Sequence, residues 1–274
     1  MDMSLSEMSY RALKRVFNKS RFFLIFFGLC GFGIVFLSLL SFLNRSHVGF
    51  TMQVMSTGSF FLSFSFVFAV GIIVTNLLAL EDSLEKETLL KVLSKQWKKL
   101  WNSLMISVPF FLIFAFMVIL VMMSVFLSML PVLGRVFHVA LTFLPFISAA
   151  VVQCLFWGSF VSLFLFVPIF SLKNGIDYFD LLKMTKKNLF MKAIGFLIAF
   201  APLFVSFKFI RSSLNFMSDL YFLAPNDSWE GFIQVLILVA PVSLLLTPSI
   251  SFFFNFSYEF NSEELNREVQ DQHN

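Results

Sequence analysis

Leu89-Leu-Lys-Val-Leu-Ser-Lys-Gln-Trp-Lys-Lys-Leu-Trp-Asn-Ser-Leu-Met105 decides the architecture, because it carries two helical stripes and then runs into a long apolar stretch. Leu89, Leu93, Trp97, Leu100 and Leu104 recur at steps of three and four residues, and Lys91, Lys95, Lys98 and Asn102 keep the same rhythm on another face. That spacing predicts an amphipathic helix, with Asp82 and Glu85 ahead of it as start signals. Its lysine stems can lie along the acyl boundary of a bilayer while the ammonium groups reach phosphate, and Trp97 and Trp101 suit the interfacial level.

Outward from this stretch the pattern recurs. Windows 11–21, 86–99 and 173–192 hold five Lys/Arg each, fifteen of the twenty in the chain, and each precedes two apolar runs. Leu89-Leu90-Lys91 aligns with Leu181-Leu182-Lys183, and the register continues to Ile106 and Ile198. In the later copy Asp177 can cap a helix bearing Lys183, Lys186 and Lys187. The segment from Tyr10 to Phe23 is a looser copy. The chain thus divides into pseudo-repeats over about 10–80, 86–170 and 173–258 of a single membrane domain, 1–260, with a polar acidic tail at 261–274 that is expected to be a frayed helix or disordered.

Composition agrees. Hydrophobic residues make up 58% of the chain, charged residues 13%, and the mean hydropathy is +0.87; a soluble domain carries about a quarter charged residues. A span needs about 20 apolar residues, and six segments qualify: about 22–43, 57–80, 104–130, 140–170, 193–210 and 231–258. The expected fold is all-α: a polytopic membrane helix bundle of six transmembrane helices in three hairpins, each preceded by a basic amphipathic helix. The fifth run is the shortest and holds Pro202. Pro241 and Pro248 are expected to bend the sixth. A proline inside a span removes a backbone donor that neighbouring helices must replace.

Orientation follows from the Lys/Arg flanks. One side of the six-span arrangement receives sixteen of these residues and the other only Arg45, Arg135, Lys208 and Arg211, so both termini are expected in the cytoplasm. The first run is too long for a cleaved signal peptide and is read as an anchor in a bacterial plasma (inner) membrane.

Val167-Pro168-Ile-Phe-Ser-Leu-Lys-Asn-Gly175 and Tyr178-Phe-Asp-Leu-Leu-Lys-Met-Thr-Lys-Lys-Asn-Leu-Phe190 resemble a unit of the six-span membrane domain found beside some glycerophosphodiester phosphodiesterases and in related bacterial inner-membrane proteins. In that pattern a span ends in Pro, a Gly turn follows, and a basic amphipathic helix leads into the next span. The resemblance implies an integral membrane module. The hydrolase barrel, roughly 250 residues, has no room in this chain, so its chemistry does not come with the likeness.

Candidate chemistry is sparse. His47, His138 and His273 have no metal-ligand spacing to a second donor, no cofactor is expected, and no base-reading or stacking module suggests nucleic acid. Cys30 and Cys154 are expected as buried apolar thiols. Glu259 is expected where the tail re-enters water, and Asn76, Gln153 and Asn255 as interhelical hydrogen-bonding groups. Gly28, Gly31, Gly33, Gly71 and Gly195 are expected at close helix contacts. The function expected is a non-enzymatic envelope protein that binds the bilayer's anionic phospholipid headgroups through Lys91, Lys95, Lys98, Lys183, Lys186 and Lys187, or docks a membrane or cytoplasmic protein. The alternative is the membrane subunit of a transporter, for which a polar cavity around Gln153 and Asn255 would speak.

Overall fold

The computed structural model describes residues 4–44, 70–71, 73–75, 78, 112–113, 116, 119, 123, 126, 150–151, 154, 157–158, 160–169, 188–219 and 228–273. Every element among them is helical: α1 (Leu5–Val16), α2 (Lys19–Asn44), α3 (Phe160–Ile169), α4 (Leu189–Asp219) and α5 (Ser228–His273).

Two stretches are long and apolar enough to cross a membrane, Leu189–Ser213 in α4 and Ile237–Leu265 in α5. A third is reached if the bent pair Leu5–Val16 and Arg21–Val35 counts as one span. Of the six spans expected, the described residues carry two clear ones, and most of the second, third and fourth apolar runs lies outside them. The least favoured run, the fifth, is one of the two. Pro202 sits inside α4 without ending it.

α5 is the centre of the bundle. Residues 249–261 are buried without interruption, as a helix surrounded by neighbours requires. α1, α2 and α4 all pack on it. It runs unbroken through Pro241 and Pro248 to His273, so of the two forms expected for the acidic tail, frayed helix or disordered chain, the helical one is found. On the α3–α4–α5 side the core is aromatic: Phe164 lies 5.6 Å from Phe260 and 5.8 Å from Phe196, and Phe160 lies 5.1 Å from Phe200, centroid to centroid.

Three glycines let helices approach α5. A Cβ on Gly71 would stand 2.4 Å from the Phe254 ring, one on Gly33 2.9 Å from Val239, and one on Gly195 2.9 Å from Phe260. Gly31 departs from expectation, with nothing among the described residues within 4 Å of its Cβ position. The thiols depart too: Cys30 is half-buried and Cys154 exposed. α4 turns Leu197, Phe204, Val205 and Phe209 outward, an apolar exposed face of the kind that meets lipid.

One proline is answered as a membrane requires. Pro168 cannot donate to the carbonyl of Phe164 four residues earlier. Ser257 Oγ and Asn261 Nδ2 of α5 donate to that carbonyl instead.

Candidate functional site

The first basic window folds into α1 and the start of α2. Ser4 caps α1, its Oγ accepting from the Glu7 amide at 3.3 Å, with Glu7 in the first turn and Lys14 and Arg15 in the last, the charge order that the helix dipole favours. The helix stops at Phe17. Asn18 then accepts from the Phe22 amide at 2.9 Å, which starts α2. Leu5–Val16 and Arg21–Val35 meet at about 70°.

α1 has three facets rather than two. Met8, Ala12 and Val16 are buried against α5. Glu7, Arg11, Lys14 and Asn18 follow the helical period on a second face. Tyr10, Leu13 and Phe17 form a third that is 68%, 59% and 71% exposed.

α5 holds this segment with a polar ladder at four-residue steps. Ser251 Oγ donates to the Val16 carbonyl at 3.3 Å, satisfying one of the acceptors that the last turn of α1 leaves open. Asn255 Nδ2 donates to the Ala12 carbonyl at 3.4 Å, and its Oδ1 accepts from Arg21 Nη1 at 3.0 Å. Glu259 Oε1 lies 2.8 Å from Arg15 Nη1. Asn255 thus makes the interhelical bond expected of it. Glu259 does not re-enter water; its side chain is only 7% exposed. On the neighbouring flank Lys192, at the start of α4, is buried and lies 3.0 Å from Glu264. Arg21 and Lys192 count as flank cations in the sequence, yet both are buried, and a buried charge is tolerable only with such partners.

Above this ladder, at the bend, Arg11, Lys14, Arg15, Asn18 and Arg21 line a cavity of about 450 Å³. Arg11 also meets Glu7 at 3.2 Å on the exposed surface. A chain of rings begins beside it: Phe17 to Phe22 at 6.3 Å, Phe22 to Phe23 at 6.1 Å and Phe23 to Phe27 at 5.9 Å. Such a site can hold an anion in guanidinium forks.

Lys91, Lys95, Lys98, Lys183, Lys186 and Lys187 lie outside the described residues, as does Gln153. The pairings Arg15–Glu259, Arg21–Asn255 and Lys192–Glu264 were not anticipated. The available signal was that acidic tail residues and basic leading residues share one side when the span number is even. Among the described residues no group of three His, Cys, Asp or Glu side chains could hold a metal ion. Comparison with protein-family models, with curated proteins and with solved structures finds no match.

Proposed function

We propose that the chain is a non-enzymatic multi-pass protein of a bacterial inner membrane that binds the anionic cytoplasmic leaflet through basic amphipathic helices. In this reading α1 and the segments carrying Lys91, Lys95 and Lys98, and Lys183, Lys186 and Lys187, are three versions of one device. Six spans and two cytoplasmic termini complete the arrangement, which is that of the six-span domain resembled at 167–190.

The observation that carries the reading is the third facet of α1. A basic helix needing only a core face and a solvated face would not keep Tyr10, Leu13 and Phe17 exposed on one stripe. Burying such a side chain fully is worth about 1.5–3 kcal/mol. Three of them half-immersed therefore rival or exceed the roughly 1 kcal/mol that each cation gains near an anionic surface. The apolar facet sets the depth of α1, and Arg11 and Lys14 set the leaflet. The bend to α2 lets α1 lie along the surface while α2 enters the bilayer. Against a transport cavity stands Asn255, bonded to α1 and Arg21 within the protein.

Nitroxide labels placed singly at positions 7, 10, 11, 13, 14 and 17 test this, in full-length protein lacking Cys30 and Cys154 and reconstituted in anionic liposomes. Labels at 10, 13 and 17 should be relaxed mainly by oxygen, and those at 7, 11 and 14 by a water-soluble nickel chelate. Equal access of both reagents around the helix would overturn the proposal.

A further inference from the structure

Resting on that surface placement of α1, we propose that the cavity at the α1–α2 bend is a site for one anionic phospholipid. Arg11, Lys14, Arg15, Asn18 and Arg21 take its phosphate, and Phe17, Phe23 and Phe27 take an acyl chain. This goes beyond diffuse attraction to a charged leaflet, because it names a single bound molecule and a built receptor.

Three observations carry it. First, the lining is three guanidinium groups, one ammonium and one amide, with no carboxylate among them, and guanidinium forks match pairs of phosphate oxygens. The volume, about 450 Å³, falls in the range of about 300–1,000 Å³ usual for small-molecule sites. Second, the two deepest cations are set before any ligand arrives. Arg21 is 2% exposed and bonded to Asn255, and Arg15 stands against Glu259. Both partners belong to the buried centre of α5, so the ordering that binding would otherwise impose on two long side chains has already occurred. Third, the ring chain starts at residues adjacent to Asn18 and Arg21 and continues along α2, with Phe17, Phe23 and Phe27 71%, 52% and 64% exposed. A soluble phosphate has no use for such a wall. A lipid anchored by its headgroup at the same level does.

The test uses the full-length protein, delipidated in detergent and titrated with phosphatidylglycerol or phosphatidylcholine, with adducts counted by native mass spectrometry. One phosphatidylglycerol should bind per chain, about tenfold or more tighter than phosphatidylcholine. Replacing the two outer cations together, Arg11→Gln with Lys14→Gln, leaves the buried pairs intact and should weaken that adduct about tenfold or more; Lys14→Arg should retain it. An adduct of equal strength in the double variant would overturn the site. So would its displacement by equimolar inorganic phosphate, which would make this a soluble-anion site. The depth profile of α1 and the lipid adduct, measured on the same protein, separate the two proposals. A depth profile that never distinguished the facets refutes the surface reading alone, whereas a missing lipid adduct beside a correct depth profile refutes the site alone.

Discussion

At the scale of single residues the chain solves two problems that a bilayer makes acute, the unpaired carbonyl and the buried charge. The carbonyl of Phe164 loses its helical donor to Pro168 and gains Ser257 and Asn261 from α5. That substitution of partners makes a prediction with a built-in control. Ser257→Ala should lower thermal stability by about 1 kcal/mol. In a Pro168→Ala background the backbone amide returns, and the same replacement should cost appreciably less. A double-mutant cycle in detergent measures the difference, and additive effects would show that Ser257 does not substitute for the missing donor. The need for compensation was legible in the sequence from Pro168 alone. The identity of the donors was not, because they lie 93 and 97 residues away along the chain and no local period links them.

At the scale of elements, α1 and α5 are joined by one polar row. Ser251, Asn255 and Glu259 stand one helical turn apart and meet the Val16 carbonyl, the Ala12 carbonyl and Arg15. Through these contacts α5 both caps α1 and aims its cations. Glu259→Gln leaves Arg15 facing a neutral amide. Removing one partner of a buried pair costs about 3–5 kcal/mol, and the lower end applies because the Arg15 side chain keeps 30% exposure. The melting temperature should fall clearly. Arg15→Gln in the same chain should restore part of the loss, since no charge is then left without its partner. A double variant less stable than the sum of the two single effects would contradict the pairing. Periodicity in the sequence showed that the leading segment is an amphipathic helix. It could not show a third facet, because the pattern of α1 does not say which of its apolar stripes meets protein and which stays exposed.

For the whole molecule, composition and the long apolar runs made an all-helical membrane protein legible, and the six-run count leads to the expectation that both ends share a side. What the pattern could not supply was the central place of α5. Its buried stretch contains Ser249, Ser251, Asn255, Ser257, Glu259 and Asn261, a density of polar groups that reads in isolation as the edge of a span. Helix starts and ends converge on this part of α5: Arg21 opening α2 meets Asn255, Phe164 near the end of α3 meets Ser257 and Asn261, and Lys192 opening α4 meets Glu264 just beyond. The convergence carries a topological consequence. If α2 and α4 start, and α5 finishes, at one end of the bundle, then the leading helix and the final turns of α5 lie on the same side of the membrane, and the crossings between them are even in number. In the proposed reading, the excess of Lys and Arg on the flanks places that side in the cytoplasm. In a variant lacking Cys30 and Cys154, single cysteines introduced at Glu7 and at Asn274 should both react with a membrane-impermeant maleimide in inside-out vesicles, and neither should react in intact cells. Labelling of the two positions from opposite faces would require an odd number of crossings. The pairing of Arg15 with Glu259 would then have to form across the bilayer, which two groups 2.8 Å apart cannot do.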